Sequence, residues 1–338
     1  MCAARLGAAG FDVRDEPFEY SAFVGRWGTP MGGIVAGLVL LVAAGLGRDG
    51  HAALALGVLS LGALALGAVA RWMAVDGVLV FPFDRRRGIN LVATRGPVPP
   101  KIWLMAHLDS KSQPVPILVR AVGITVLIVT WIAGFVVAAM QLWASSRSGG
   151  SAAWLAVAGM TVVGAIPVIA TTVGSRSPGA LDNATGVATV LAAAESTRAP
   201  VGVCLTSAEE LGLAGARAWA RGRGHPPEGV VAVNCDGVDD HGATTSMHSG
   251  RRPASLIDAV VAAAAVAGTT VRAHRLLPGV LTDGVALADA GWPVVTLSKG
   301  SASTLARIHT PRDRADVITG VGIAEVARII TALVDAQA

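Results

Sequence analysis

Two histidines and five carboxylates stand in this sequence where apolar runs stop. His107-Leu108-Asp109 closes the run 102–106. Asp182 lies in Ser177-Pro178-Gly179-Ala180-Leu181-Asp182-Asn183-Ala184-Thr185-Gly186, directly before a helical stretch. Glu209 and Glu210 follow the run 201–206 through Ser207-Ala208, Asp236 follows 230–234, and Ile308-His309-Thr310-Pro311 lies beyond 293–297. Imidazole and carboxylate together are the ligands of a borderline divalent ion such as zinc. A carboxylate two residues past a histidine can fix the imidazole tautomer and raise its basicity. Two adjacent acids after an apolar strand are costly unless something binds or neutralises them, and they invite a division of labour, one on a metal and its neighbour moving a proton. Each piece also has a plain structural reading. Asp182 would serve as an N-cap, and Glu209-Glu210 as a pair favoured by a helix dipole. Taken together, these groups could hold a metal ion with a proton carrier beside it.

The elements that must position these groups can be read from the pattern. Strand-like runs cover 77–81, 89–94, 102–106, 201–206, 230–234 and 293–297. Helical runs cover 184–197, 211–221, 254–267 and 322–336. Apolar strands alternating with amphipathic helices predict an α/β fold with a mixed, largely parallel sheet flanked by helices. In such sheets functional residues gather at the carboxyl ends of the strands, where the residues above fall.

The remainder of the chain is of a different kind. Of 338 residues, 53% are hydrophobic and 15% charged, against about 25% charged in soluble proteins. Four stretches, 31–47, 51–70, 117–143 and 152–173, hold no acid and no lysine. They approach the roughly 20 residues that a bilayer-spanning helix needs. They predict two transmembrane hairpins with turns at 48–50 and 145–151, with Trp143 and Trp154 as interfacial aromatics. The chain is therefore expected to comprise a cytoplasmic tail (1–30), a transmembrane hairpin (31–70), the first part of a hydrolase domain (71–116), a second hairpin inserted in that domain (117–173) and its second part (174–338). Arg5, Arg14 and Arg26 in the tail and the seven basic residues of 71–116 outnumber Arg48 and Arg147 in the hairpin turns. This bias predicts an integral protein of the cell membrane with its catalytic part in the cytoplasm. Cys2, Cys204 and Cys235 are expected as free thiols, and the net charge of +4 comes without a basic block, so no nucleic-acid partner is expected. The lipid bilayer is a partner, and oligomeric state is not legible.

The order His-x-Asp, Gly-Ala-x-Asp-Asn-x-x-Gly, Glu-Glu, Asp, His-Thr resembles the di-zinc aminopeptidases of clan MH. The closest fit is metallopeptidase family twenty-eight with the bacterial leucyl aminopeptidases, over about 71–116 and 174–338. The run from Thr282-Asp283-Gly284 to Gly291-Trp292-Pro293 shares in the resemblance. It implies a membrane-bound exopeptidase, most simply an aminopeptidase acting on peptide substrates. His107, Asp182 and Asp236 would hold one Zn2+, and Asp182, Glu210 and His309 a second, with Mn2+ or Co2+ as alternatives. Asp182 would bridge the ions, Asp109 would orient His107, and Glu209 would be the general base toward a metal-bridged hydroxide. The bond after Asp182 would be cis. The chain departs from the family in two ways. Its only tyrosine, Tyr20, lies in the tail, whereas some relatives place a tyrosine hydroxyl near the oxyanion. A transmembrane hairpin also replaces the usual short loop before Asp182. Alternative readings are a carboxypeptidase or other amidohydrolase on the same scaffold, or an inactive membrane receptor or assembly subunit. His248 is expected as a loop residue that could line a substrate pocket.

Overall fold

The computed structural model describes residues 1–144, 151–276 and 280–337; all of the turn expected at 145–151 except Ser151 lies outside them. The chain divides into two units. One comprises Met1–Ala22, Val78–Ser112 and Ser175–Ala338, and the other Phe23–Gly77 and Gln113–Gly174.

The first unit is built on eight strands: β1 (Asp12–Ser21), β2 (Arg85–Thr94), β3 (Ile102–His107), β4 (Gly202–Thr206), β5 (Val231–Val238), β6 (Ala243–His248), β7 (Arg272–Arg275) and β8 (Val294–Gly300). They form one sheet in the order β1-β2-β4-β3-β5-β8-β6-β7. The central strands β4, β3, β5 and β8 run parallel, whereas β1, β2 and β6 are antiparallel to their inner neighbours. The architecture is thus a mixed α/β sheet whose central strands end on one side.

Alternation along β3 explains the two cores. Ile102, Leu104 and Ala106 face one layer, packed with residues of the helices Thr185–Ser196, Ala254–Val266 and Val321–Ala336. Trp103 and Met105 face the other, against Ala214–Arg223 and Asp283–Asp289. That second layer is an aromatic stack. Trp103 and Trp219 meet edge-on with centroids 5.0 Å apart, and Trp219 and Trp292 are 4.9 Å apart. Such pairs contribute about 0.5–1.5 kcal/mol beyond the area they bury.

Two expectations are corrected in this unit. Residues 12–21 are not a tail but the edge strand, paired with β2 from Asp12↔Thr94 to Ser21↔Arg85. Pro17 is tolerated because an edge strand can spare a backbone donor. The mixed charges that suggested a tail meet partners across the pair, as Glu19 does with Arg85 and Arg87. Residues 77–81 are not a strand, since Met73–Gly77 and Val78–Val80 continue the helix before them. Short apolar runs do not separate strand from buried helix by pattern alone, and the sheet position beside β2 is taken by β1.

The second unit consists of the helices Ala22–Arg48, Ala52–Trp72, Ile117–Ala144 and Ser151–Ile169, with the second continuing as an apolar span to Val80. All four are long and apolar enough to cross a membrane. Their hydroxyls are satisfied locally, Thr130, Thr161 and Thr171 each donating to the carbonyl four residues earlier, as apolar surroundings require. The last two helices approach closely at Gly123 and Gly164, where a Cβ on Gly123 would sit 2.9 Å from the Gly164 carbonyl oxygen. Small residues of this kind let membrane helices pack. Trp154, near the start of the last helix, is buried among its neighbours. Its Nε1 donates to Gln141 Oε1 at 2.9 Å, and Gln141 Nε2 donates to the Gly47 carbonyl at 3.0 Å.

Candidate metal centre

The strand ends deliver the chemistry. β3 is buried along its whole length and stops at His107, which lies level with Thr206 at the end of β4. His107 Nδ1 lies 3.0 Å from the main-chain carbonyl oxygen of Asp109. A hydrogen on Nδ1 completes that bond and leaves the Nε2 lone pair pointing forward, the form that binds a metal. The Asp109 carboxylate has a different task from the one expected. Its nearer oxygen is 3.8 Å from His107 Nδ1, while its two oxygens accept the backbone N–H groups of Glu209 and Glu210 at 3.0 and 3.1 Å. Asp109 therefore holds His107 through its backbone and the Glu-Glu turn through its side chain.

Asp182 sits between the two histidines. His107 Nε2 is 3.1 Å from its Oδ1, and His309 Nε2 is 2.9 Å from its Oδ2. The turn that carries it is pinned from both sides. Asp313 accepts from Leu181 N at 2.5 Å and Asp182 N at 3.2 Å. Asn183 donates to the Cys235 carbonyl at 2.9 Å and accepts from Gly186 N and Gly237 N. Gly186 must be glycine here, because a Cβ would stand 2.1 Å from Asn183 Oδ1. The Asp182–Asn183 bond is cis.

Asp236, on β5, brings Oδ1 to 3.8 Å from His107 Nε2, and His309 Nε2 is also 3.3 Å from Glu210 Oε1. Ligand atoms of the site fall into two convergent groups, His107 with Glu209 and Asp236, and Asp182 with Glu210 and His309, each within 4.8 Å. All seven residues singled out from the sequence meet at this one place. The first group differs from the expected set in containing Glu209 where Asp182 was placed.

The electrostatics separate the adjacent acids. Burial drives Glu209 well above the usual carboxylate range, and Glu210, Asp236 and Asp283 add to this against His107. Burial would raise Glu210 too, but Lys111 and His309 outweigh it and hold Glu210 below its ordinary value. The proton affinities of the adjacent acids are thus pushed apart, Glu209 up and Glu210 down, a pattern seen where two carboxylates take different roles. Burial opposes a charge on His107, yet Glu209, Asp182 and Asp236 raise its affinity for a proton well above normal. The surplus of negative charge that attracts a proton would equally attract a metal ion.

Three further residues escaped the sequence reading or were seen only as part of a family run. Lys111 places Nζ 2.6 Å from Glu210 Oε2, and its backbone N–H donates to Glu210 Oε1 at 3.2 Å. Asp283 is fully buried, accepts from Thr206 Oγ1, and is pushed up to about 7, chiefly by burial. Asp313 is buried behind Asp182. Their partners are distant in sequence, and only the Thr-Asp-Gly run at 282–284 offered a signal.

The residues fit a metal. His107 Nε2 is buried and makes no hydrogen bond, although carboxylate oxygens surround it. The donor set of imidazoles and carboxylates suits zinc, with manganese or cobalt as alternatives.

A family model described as Peptidase family M28 matches residues 163–334, just over half of the chain. Among solved structures, the glutaminyl cyclase of Fimbriiglobus ruber is similar over 100% of this chain and 85% of its own, at 14% identity and a TM-score of 0.53. That of Porphyromonas gingivalis is similar over 100% and 88%, at 15% identity and a TM-score of 0.52. An aminopeptidase from Aneurinibacillus sp. strain AM-1 is similar over 74% of this chain, at 17% identity and a TM-score of 0.47. The chain spans about half of that enzyme's length, 48%. No curated protein matches the chain.

Proposed function

This chain belongs to peptidase family M28, and on that premise we propose that it is a membrane-bound, metal-dependent exopeptidase that removes N-terminal residues from peptides. His107, Asp182 and Asp236 would hold one zinc ion, and Asp182, Glu210 and His309 a second. The observation that carries this reading is Asp182, whose two oxygens are directed at two different histidines, 3.1 and 2.9 Å away. A carboxylate so placed suits a bridge between neighbouring ions.

Bound there, the ions would supply Lewis-acid activation of water and of the scissile carbonyl. The chain's own residues divide the remaining work. Glu209 is the general base, taking the proton of the attacking water and returning it to the leaving amine. Its raised proton affinity matches that duty. Lys111 keeps Glu210 ionised and fixes its orientation. Asp109 holds both glutamates by their backbone and His107 by its carbonyl. Asp313 fixes the backbone on which Asp182 rides. The membrane would be the cell membrane with the catalytic unit on the cytoplasmic side, a placement that rests on the arginine bias.

Mass spectrometry of products from a peptide panel tests this. The panel pairs each free-amine peptide with its N-acetylated and C-amidated forms and includes N-terminal glutamine. Stepwise loss of N-terminal residues, abolished by acetylation and untouched by amidation, is expected. Loss of C-terminal residues would replace the reading by a carboxypeptidase, and loss of ammonia from glutaminyl peptides alone by a cyclase.

A further inference from the structure

At the sheet edge farthest from β1 the chain assembles a cluster of cations that the proposed hydrolysis does not use. β7 is the last strand of the sheet and is exposed along its length, with the sequence Arg272-Ala273-His274-Arg275. Arg251 and Arg252, also exposed, follow the end of β6. None of these arginines takes part in an ion pair among the described residues, although most other arginines of this unit that lie near carboxylates do. They converge. Burial lowers the proton affinity of His248, and Arg252, Arg275 and His274 lower it further by their charge. Beside this cluster, His248 Nδ1 and Ser249 Oγ are buried and without a hydrogen-bond partner. Both residues line a concavity with Met247, Leu276 and Thr282.

We infer that this edge is a docking surface for the acidic segment of an extended peptide. The cations repel one another, which costs stability unless an anion neutralises them. Among the described residues β7 pairs on one side only, with β6, and apart from the Arg275 carbonyl, 2.9 Å from His274 Nδ1, its outer edge offers backbone groups to a chain laid alongside. A charged edge ordinarily refuses strangers; an edge charged with one sign refuses neutral and basic strands and accepts acidic ones. The open backbone row favours a peptide over an anionic lipid headgroup, which would use the charges alone. The identification of the ligand as a peptide rests on the peptidase reading above, but binding at this edge does not require turnover.

The test measures fluorescence anisotropy of a labelled, N-acetylated peptide carrying a run of glutamates, with the full chain in zwitterionic nanodiscs at low salt. A control peptide carries glutamine in place of glutamate. The acidic peptide is expected to bind about ten-fold more tightly than the control, with the gap closing as salt rises. Arg252→Glu combined with Arg275→Glu should remove the preference, and the milder Arg252→Gln with Arg275→Gln should reduce it. Equal binding of both peptides, or a preference unchanged in the charge-reversed variant, overturns the inference. So does a variant that binds the acidic peptide normally but loses a preference for nanodiscs containing anionic lipid. Hydrolysis of a short neutral aminoacyl substrate should be the same in all variants. If no hydrolysis is found but charge-dependent binding persists, the peptidase reading fails and the docking surface stands.

Discussion

The two units of this chain bury polar groups for opposite ends. In the helical unit every buried hydroxyl named above turns back on its own helix, and Gln141 and Trp154 satisfy each other between helices. One buried atom there, Arg26 Nε, has no hydrogen-bond partner among the described residues. In the sheet unit Asp182, Glu209, Glu210, His107 and His309 are buried together, and their mutual satisfaction is incomplete, with His107 Nε2 and Asp283 Oδ1 unpartnered. A buried polar network that is left short of partners is costly, and it persists where something else, here a metal ion, completes it. The difference separates a unit whose helices are long and apolar enough to cross a membrane from one whose buried groups are left free to bind.

Removing metal should separate the units most strongly. Dialysis against a chelator is expected to abolish turnover and to lower the unfolding temperature of the sheet unit, with zinc restoring both. Far-ultraviolet circular dichroism should show the apolar helices unchanged, because the site residues named above all lie in the sheet unit. Helix loss on chelation would break the comparison.

Trp154→Ala reverses the contrast. It opens a cavity among the membrane helices and should cost about 3 kcal/mol of their stability, read as a lower unfolding temperature in detergent. In the protein that remains folded, kcat should stay near the wild-type value. A fall in kcat larger than the loss of folded protein would mean that the helices shape the site.

Asp313→Asn keeps the shape of a residue that touches no reacting group. One amide oxygen can still accept, but the amide nitrogen then faces a backbone donor at Leu181 or Asp182. A displaced Asp182 should lower kcat roughly 10–100-fold with KM little changed, and zinc affinity should fall in parallel. Unchanged zinc affinity would remove Asp313 from the positioning role.

The smallest effect is expected in acid. Burial opposes ionisation of Asp239 and Glu325, but hydrogen bonds and charge from Thr304 and Arg307, and from Thr244 and Lys299, outweigh it and hold both below the ordinary carboxylate range. A carboxyl group with a depressed folded pKa stabilises the fold above its unfolded value, and that contribution is lost as pH falls through the folded one. The sheet unit should therefore weaken below about pH 4, followed by near-ultraviolet circular dichroism. The helical unit contains only Asp49 and Asp76 as carboxylates.

Much of the site was legible because its chemistry is local. A histidine, an acid pair or an aspartate at the end of an apolar strand announces itself within a few residues, and parallel strands then gather such ends on one side. Lys111, Asp313 and the true task of the Asp109 carboxylate were not legible, because each acts on a backbone or side chain about 100 to 130 residues away. The apolar helices were read nearly to their ends except the first, which begins at Ala22 rather than 31, whereas β1 was hidden by its charges and the continuation at 73–80 by its β-branched residues. Trp154 shows the same limit, since its partner Gln141 is visible only in three dimensions.

The division of labour between Glu209 and its neighbours is the point on which the function turns, since Glu209 also lies in a convergent ligand group with His107 and Asp236. Zinc content and turnover measured on one preparation each of the wild-type chain and Glu209→Gln address it directly. A variant that keeps the wild-type zinc content and loses about 10²–10⁴-fold in kcat is the expected result. A variant that loses zinc together with activity would make Glu209 a ligand and contradict its role as the base.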